Sequence, residues 1–190
     1  MQLTEKQKKI YEGLICPYCG RETELADADK IYKTKGLGMV RLCRSCFAWV
    51  GVHTSCPNKG VAKGRLANSS LRGLKVKMHA EFDRLHNNQE ERAEAYRTLS
   101  EFMGLPPEYT HIEMLSEKSA GKLFDFCIEN KNKTGSNILK KKSGCKCEAR
   151  SNRIEIGSSA CHGCPEFLFH SQDGSVYCDK DMSYGHLKQV

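Results

Sequence analysis

The sequence predicts an α+β protein. An N-terminal zinc ribbon, which is a small antiparallel sheet, is expected to pack on a three-helix bundle, and a small C-terminal zinc-stabilised module is expected to follow. Three observations support this class: two Cys-x-x-Cys pairs near the N-terminus, then apolar residues at helical spacing, then a second group of cysteines after a polar, basic segment. The predicted division is residues 1–130 for ribbon and helices, 131–144 for a basic linker, and 145–190 for the cysteine-rich module.

The first two cysteine pairs have the spacing of a structural zinc site. The segments CPYCG (16–20) and CRSC (43–46) each place two thiols two residues apart, and 23 residues lie between the pairs, enough for a hairpin. We expect one zinc ion bound by Cys16, Cys19, Cys43 and Cys46. Four cysteine ligands leave no open position, so the site should be structural rather than catalytic. A redox motif of the thioredoxin type would need a βαβ context that is absent here.

Cysteine usage also predicts the compartment. Eleven cysteines in 190 residues require either disulfides or metal ions. The N-terminal residues MQLTEKQKKI include no apolar segment like that of a secretory signal, and no stretch approaches the roughly 18 apolar residues of a membrane span. We therefore expect a cytoplasmic protein without a membrane partner, whose reduced thiols bind zinc.

The remaining elements follow from periodicity. Strands are predicted near Lys30–Lys35, at Met39–Leu42 and at Phe47–Val52, where β-branched and aromatic residues are frequent. Amphipathic helices are predicted over about 71–85, 89–103 and 116–128, because their apolar residues recur every three or four positions. Asn68, Ser69 or Ser70 is the expected cap of the first helix, and Gly104 should end the second.

The net charge of +7 is segregated along the chain. Residues 59–77 contain six Lys or Arg and no acid, and residues 130–150 contain seven basic residues against one acid. Segregated basic charge indicates a polyanionic partner, although a solvated loop and a solvated linker would give the same pattern. The candidate nucleic-acid-binding residues are Lys59, Lys63, Arg65, Arg72, Lys75, Lys77, Lys140, Lys141 and Lys142. The aromatic residues Tyr18, Phe47 and Trp49 could stack on bases, or fill the small core of the ribbon.

A second zinc site is predicted near the C-terminus. Its expected ligands are Cys147, Cys161, Cys164 and Cys178, with Cys145 as an alternative and His162 and His170 as competing ligands. The other interpretation is a tail of reduced thiols. A module of roughly 45 residues has almost no core without metal, which favours the zinc site. The pattern around Gly157-Ser158 and the following cysteines resembles small cysteine-rich phage-type zinc modules.

Several motifs, in order, resemble one known family. CPYCG, CRSCFAWVGVH, GRLANSSLR, KMHAEFDRL, EAYRTLSEFMGL and THIEML are together similar to the zinc-finger-containing domain of unknown function found in phage and bacterial proteins, over about residues 14–128. The resemblance implies a zinc ribbon packed on a helical bundle and no established activity. It also draws attention to polar residues outside the zinc site, namely His53, Arg72, His79, Asp83 and His111.

Three functions remain open at this stage. The leading one is a zinc-binding, nucleic-acid-binding accessory protein of a phage or mobile element, acting in the cytoplasm of a bacterial host cell. The second is a protein-interaction module that acts on a host or defence protein. The third is a metal-dependent nuclease or hydrolase that uses a histidine-rich helical surface, with His53, His79, Asp83 and His111 as weak catalytic candidates.

The nuclease hypothesis is the least favoured of the three. His79, Asp83 and His86 lie at i, i+4 and i+7, a spacing that can hold a metal ion but is also the ordinary polar side of an amphipathic helix. His86 stands where the family resemblance leads us to expect a large aromatic residue, which argues against an inherited triad. His53 and Cys56 are similarly best interpreted as an ordinary histidine and an ordinary cysteine, although either could bind metal.

Overall fold

The computed structural model describes residues 3–130, 138–142, 155, 157–158, 162 and 167–179. The chain divides into two compact units: unit 1 contains residues 1–75 and 104–116, and unit 2 contains residues 76–103 and 117–190. Both helices and sheet are present, as predicted, and each unit is described separately. Among the described residues, no helix has the length and apolar character needed to cross a bilayer.

Unit 1 begins with a short helix and a three-stranded antiparallel sheet. Helix α1 (Glu5–Tyr11) starts at a capping box between Thr4 and Gln7. The sheet has the order β1-β2-β3. Its strands are β1 (Glu24–Asp27), β2 (Met39–Cys43) and β3 (Ala48–Gly51). The hairpin between β2 and β3 pairs Cys43 with Ala48, so it brings the second cysteine pair to the end of the sheet.

The prediction of a strand near Lys30–Lys35 is wrong. The first strand lies earlier, at β1, and Asp29–Tyr32 forms a short helical turn, α2. The cause is local hydrogen bonding by two aspartates: Asp27 Oδ1 accepts from the N–H of Asp29, and the Asp29 carboxylate accepts from the N–H groups of Gly36 and Leu37. Such side-chain bonds favour turns over strands.

The core of unit 1 surrounds the cysteines. Its buried members include two of the four predicted zinc ligands, and Cys46 packs against them. These buried members are Cys16, Cys43, Ala48, Val50, Ala62 and Leu66. A second small cluster, on which Ile31 and Trp49 pack, contains Ala26, Ala28, Val40 and Leu42. Both clusters consist of small or medium side chains, so a metal cross-link at the cysteines would add to the stability of unit 1.

Two short 3-10 turns complete unit 1, at Pro107–Tyr109 and Ile112–Met114. The second turn is held to the loop that precedes α3, because the Glu113 carbonyl accepts from the N–H of Arg65 at 2.9 Å. Helix α3 (Ser69–Asp83) follows that loop, and Asn68 Oδ1 accepts from the N–H of Leu71. Asn68 is therefore the cap of α3, one of the three predicted capping residues. The division between the units falls within this helix.

Unit 2 contains the end of α3 together with α4 (Gln89–Met103) and α5 (Glu117–Glu129). These bounds agree with the predicted helices to within two residues, and Gly104 follows α4 with a φ of +64°, as a helix-ending glycine should. Aromatic side chains join the three helices: the Phe82 ring centroid lies 4.5 Å from that of Tyr96 and 6.5 Å from that of Phe126. The packing of the ribbon on this bundle stays a prediction.

A second antiparallel sheet also belongs to unit 2. Its strands are β4 (Ile138–Lys142), β5 (Phe167–His170) and β6 (Ser175–Asp179), with β6 in the centre. The Tyr177 ring packs 5.4 Å from that of Phe124 in α5, and the Tyr177 hydroxyl donates to Asp125 Oδ1 at 3.0 Å. These contacts tie the sheet to the helices.

Strand β4 lies inside the segment that was predicted to be a linker, so that prediction missed a regular element. The residues ILKKK contain no turn-forming residue, and all five pair with β6. Composition alone does not reveal such a long-range ladder, which explains the difference. The separate C-terminal module over 145–190 stays a prediction.

Candidate metal centre

The first cysteine pair sits in a tight turn before β1. The Arg21 carbonyl accepts from the N–H of Cys16 at 2.8 Å, and the Cys16 carbonyl accepts from the N–H of Gly20 at 2.9 Å. Gly20 has a φ of +72°, a conformation that glycine adopts at little cost. The turn therefore holds Cys16 and Cys19 on the same side of the backbone.

The second cysteine pair is placed by the β2–β3 hairpin. Cys43 is the last residue of β2, and Cys46 follows in the turn before β3. Across the turns, the guanidinium of Arg21 donates to Ser45 Oγ at 2.7 Å. This bond links the turn of residues 16–21 with the turn of residues 43–47, which we call the first and second knuckles.

The four sulfurs form a metal-binding cluster. The Sγ atoms of Cys16, Cys19, Cys43 and Cys46 all lie within 4.8 Å of one another, and those of Cys19 and Cys43 are 3.6 Å apart. A tetrahedral zinc ion with Zn–S bonds of about 2.3 Å separates its sulfurs by roughly 3.8 Å. A disulfide would bring two sulfurs to about 2.05 Å, whereas all four cysteines are free. The donor set and its spacing therefore fit zinc.

Three thiols of the cluster have pKa values that depart from the ordinary cysteine value, in different directions. The backbone N–H of Arg21 lowers the pKa of Cys19 to about 7, so that thiol ionises readily. Burial raises the pKa of Cys16. The pKa of Cys46 is raised to about 12, chiefly because its thiol donates to the sulfur of Cys19. Crowded thiolates repel one another, so a divalent cation is the natural partner that lets all four lose their protons.

The site can cross-link but offers no position for a substrate. Cys16 and Cys43 are buried, Cys46 is partly buried and Cys19 is exposed, so the ion would sit at the edge of the core with all four ligands from protein. Zinc held in this way joins the two knuckles and supplies folding free energy, on the order of 10 kcal/mol in small modules.

The histidine and cysteine that follow β3 lie outside this cluster. His53 uses its backbone in a turn, where its N–H donates to the Val61 carbonyl at 2.8 Å and its carbonyl accepts from Gly60. Cys56 is exposed. Neither residue belongs to the four-cysteine group.

The candidate catalytic residues are not gathered into a metal site in the part of the chain that the structure describes, where the four-cysteine cluster is the single group of three or more potential ligands. His53 and His111 belong to unit 1, whereas His79 and Asp83 belong to unit 2. Asp83 Oδ1 lies 3.4 Å from His86 Nε2, and the His86 ring packs edge-on against Phe82. This arrangement is typical of a helix surface rather than of a catalytic centre.

Four of the candidate nucleic-acid-binding residues, in the loop after β3 and in α3, differ in their exposure. Lys59 and Lys63 are exposed. Arg72 lies over the Trp49 ring, with its guanidinium carbon 4.4 Å from the ring centroid, and it donates to the Ala67 carbonyl. Arg65 is partly buried.

Lys75 requires a correction, and Lys77 is partly buried. Lys75 is only 4% exposed, and its Nζ donates to the Glu113 carbonyl at 2.6 Å and lies 3.1 Å from Glu113 Oε2. Lys77 Nζ donates to the Leu168 carbonyl at 2.9 Å, and burial lowers its pKa. The Lys75 ammonium satisfies interior acceptors, so it is not presented to a phosphate, whereas Lys77 stays a candidate. A count of basic residues along the sequence does not distinguish buried lysines from exposed ones.

Two basic residues at the metal centre were missed by the sequence interpretation. Arg21 and Arg44 are exposed and each lies within two residues of a zinc ligand. Arg44 Nε is 2.7 Å from Glu24 Oε1, an exposed ion pair that is worth little in water. Their positions next to the cysteine motifs could have identified them as candidate ligand-binding residues.

The predicted second zinc site lies mostly beyond the described residues. Cys145, Cys147, Cys161 and Cys164 fall outside them, as do the side chains of Lys140, Lys141 and Lys142. Cys178 is partly buried in β6. His162 Nε2 lies 3.2 Å from His170 Nδ1. Cys127, by contrast, is a core residue of α5, where burial raises its thiol pKa strongly.

Comparison with known proteins agrees with the geometry of the cluster. A family model described as a zinc-finger-containing domain matches residues 12–130, which include all four clustered cysteines. No curated protein and no solved structure matches the chain.

Proposed function

Since the chain belongs to the family of zinc-finger-containing domains, we propose that it is a zinc-binding accessory protein that binds nucleic acid through the surface of unit 1. Its setting, a phage or mobile element in the cytoplasm of a bacterial cell, is part of this proposal and is supported by the resemblance of its motifs. Zinc binding itself is supported by the family and by the four-cysteine cluster.

The charge of unit 1 is the observation that carries the proposal. Unit 1 contains 14 Lys or Arg and 8 Asp or Glu, so it holds a net +6 of the total +7 of the chain. A basic unit of this size attracts phosphate backbones by releasing their counterions. The positive charge therefore coincides with the unit that the metal centre stabilises.

Exposed basic side chains provide the contacts. Lys59 and Lys63 lie in the loop after β3, and Arg21 and Arg44 lie on the knuckles. Their contacts would be mainly with phosphates, so binding should be weakly specific and strongly salt-dependent. The zinc ion takes no part in ligand chemistry, because all four ligands are cysteines; it fixes the knuckles that carry the arginines. Lys140, Lys141 and Lys142 lie in β4 of unit 2, and we propose them as separate phosphate contacts of that unit.

A salt series tests this function. Fluorescence anisotropy would measure the affinity for unpaired and duplex oligonucleotides, of DNA and of RNA, between low and moderate salt. The Lys59→Met/Lys63→Met variant should bind less tightly, and its log–log salt slope should fall by roughly 0.7 to 0.9 for each phosphate that the variant no longer neutralises. Lys122→Met, which removes an exposed lysine of α5 in unit 2, is the matched control and should change neither quantity. Absence of binding at the lowest salt would refute the function.

We also propose a second zinc ion near the C-terminus. It is supported by the cysteine spacing in the sequence, and His162 and His170, whose Nε2 and Nδ1 atoms lie 3.2 Å apart, are its competing ligands. Wild-type protein should then contain two zinc ions per chain. Cys178→Ser should lower the content by one if that cysteine is a ligand, and an unchanged content would remove it from the site.

The two other functions have their own tests. A cleft in unit 2 supports a protein-interaction role: Leu85, Ala95 and Phe126 line it together with the acidic residues Glu91 and Glu94. That role becomes the leading one if no nucleic acid binds. The nuclease hypothesis predicts strand cleavage with added Mg²⁺ or Mn²⁺ that His79→Ala abolishes; equal cleavage by both proteins would exclude His79.

A further inference from the structure

The two knuckles of the metal centre end in the same backbone conformation but with very different residues. In the first knuckle, Gly20 follows the second cysteine with a φ of +72°. In the second knuckle, Phe47 occupies the corresponding position with a φ of +49°. The turn after the second cysteine therefore uses the left-handed region in both knuckles. Glycine is the ordinary residue there, because it has no side chain to clash with the backbone.

Phenylalanine at this position is costly for folding. A residue with a β-carbon in the left-handed region shifts the folding equilibrium toward the unfolded state by roughly 5- to 30-fold. The side chain does not recover this cost by burial, because Phe47 is 78% exposed, the largest fraction among the exposed large apolar residues that the structure describes. Its ring also makes no aromatic contact within the described part of the chain. Such a residue lowers stability without serving the core, which points to a role in binding.

The surroundings of Phe47 define the chemistry of its partner. Arg44 lies in the same knuckle and is exposed, and Arg21 reaches across from the first knuckle to Ser45 Oγ at 2.7 Å. An exposed aromatic ring on a pair of knuckles that also carry two exposed arginines suits a ligand that combines planar faces with negative charge. Unpaired nucleotides have this combination, since the ring can stack on the base while arginine binds the phosphate. Duplex bases are already stacked and do not offer their faces.

We infer that Phe47 is a stacking platform for an unpaired base, so that the second knuckle recognises single-stranded nucleic acid. The inference rests on the proposed function and deepens it by naming the class of ligand. The zinc ion holds the turn rigid, and the left-handed backbone directs the ring outward into solvent. Arg21 and Arg44 attract the strand, whereas Phe47 distinguishes single strands from duplexes.

Substitution by glycine separates the binding role from a structural one. Phe47→Gly relieves the backbone conformation, so its unfolding midpoint in urea should rise. Its affinity for oligo(dT) should nevertheless fall by roughly 5- to 150-fold, the range expected when one base stack is removed. The affinity for a duplex of the same length, which should be lower than that for oligo(dT), should be the same in Phe47→Gly and in wild type. Phe47→Asn, which also tolerates the left-handed region, should behave like the glycine variant, and Phe47→Trp should keep the affinity.

Two readouts exclude trivial explanations. A 2-aminopurine base placed within the oligo(dT) strand should be quenched on binding to wild-type protein but not on binding to Phe47→Gly. Zinc content should be the same in both proteins. Leu37→Ala removes another exposed apolar side chain of unit 1, one that is 51% exposed, and should change neither stability nor binding.

Each outcome has a defined meaning. A gain in stability together with a selective loss of single-strand binding supports the inference. If Phe47→Gly binds oligo(dT) as tightly as wild type, or loses single-strand and duplex binding equally, the inference is overturned while the proposed function stands. If wild-type protein binds no nucleic acid at any salt concentration, both are overturned, and Phe47 becomes a candidate anchor for a protein partner.

Discussion

Lysine 75 offers a test that separates structural from ligand-binding basic residues. Its Nζ makes a 2.6 Å bond to the Glu113 carbonyl, a 3.1 Å ion pair with Glu113 Oε2 and a 3.5 Å contact with the Arg65 carbonyl. Lys75→Met keeps most of the apolar stem and removes the charge. The substitution therefore tests the ammonium group while leaving the packing of α3 nearly intact.

The expected cost follows from what each partner loses. A hydrogen bond to a charged group contributes about 1.5–3 kcal/mol. The Glu113 carbonyl keeps its 2.9 Å bond from the N–H of Arg65, so it is not left unsatisfied. The Glu113 side chain is 47% exposed and can return to water, so the ion pair adds little. We expect a loss of about 2 kcal/mol in the free energy of unfolding, near the lower end of that range.

Urea unfolding followed by tryptophan fluorescence measures this loss. Trp49 is the single tryptophan of the chain and lies in β3, so its fluorescence reports on unit 1. The titration is done with saturating zinc, so that metal loss does not contribute. Lys63→Met is the matched control: it should stay within about 0.5 kcal/mol of wild type, because surface substitutions of this kind have small effects. In oligonucleotide binding the order should be reversed: Lys63→Met should bind more weakly than wild type, and Lys75→Met should keep the wild-type affinity.

One result would refute the reasoning. If Lys75→Met unfolds at the urea concentration of wild type but binds nucleic acid more weakly, its ammonium faces the ligand rather than the interior. The account of its burial between α3 and the turn at Ile112–Met114 would then be wrong.

Three further predictions concern packing and metal binding. Gly64→Ala should destabilise unit 1 by about 1–3 kcal/mol, because its new Cβ would lie 2.5 Å from the Glu113 carbonyl oxygen. Gly73→Ala in α3 meets open space and should stabilise the protein by about 0.5–1 kcal/mol. Urea unfolding midpoints that shift in the opposite directions would contradict both predictions. Tyr177→Phe removes the 3.0 Å hydrogen bond to Asp125 and should lower the free energy of unfolding by about 1–2 kcal/mol. Urea unfolding followed by far-UV circular dichroism measures this loss, and an unchanged midpoint would show that the hydrogen bond contributes nothing to stability. Lowering the pH should release zinc because protons compete for the thiolates, with roughly tenfold loss of affinity per pH unit for each thiol protonated; pH-independent affinity in chelator competition would rule out thiolate ligands.

The metal centre was predictable because its ligands are local in sequence. Each cysteine pair lies within one turn, and the hairpin between β2 and β3 needs only a few residues to place the second pair. The helices were predictable for a related reason, since their apolar spacing encodes which face is buried: Leu71, Met78 and Phe82 are fully buried.

What sequence reasoning missed depends on long-range contacts. The burial of Lys75 is decided by Glu113, 38 residues away, and the donation of Lys77 to Leu168 spans 91 residues. Strand β4 exists because it pairs with β6. Charge counts along the chain treat all of these residues alike, so they cannot separate a lysine that satisfies an interior carbonyl from one that faces solvent.

Zinc content by native mass spectrometry tests the central claim, that four cysteine sulfurs hold one ion that stabilises unit 1. The Cys16→Ser/Cys46→Ser variant removes one ligand from each knuckle and should contain one zinc ion fewer per chain than wild type. Cys56→Ser removes an exposed cysteine outside the cluster and should keep the wild-type content. Equal zinc content in wild type and the double variant, or no zinc in wild type, would contradict the account.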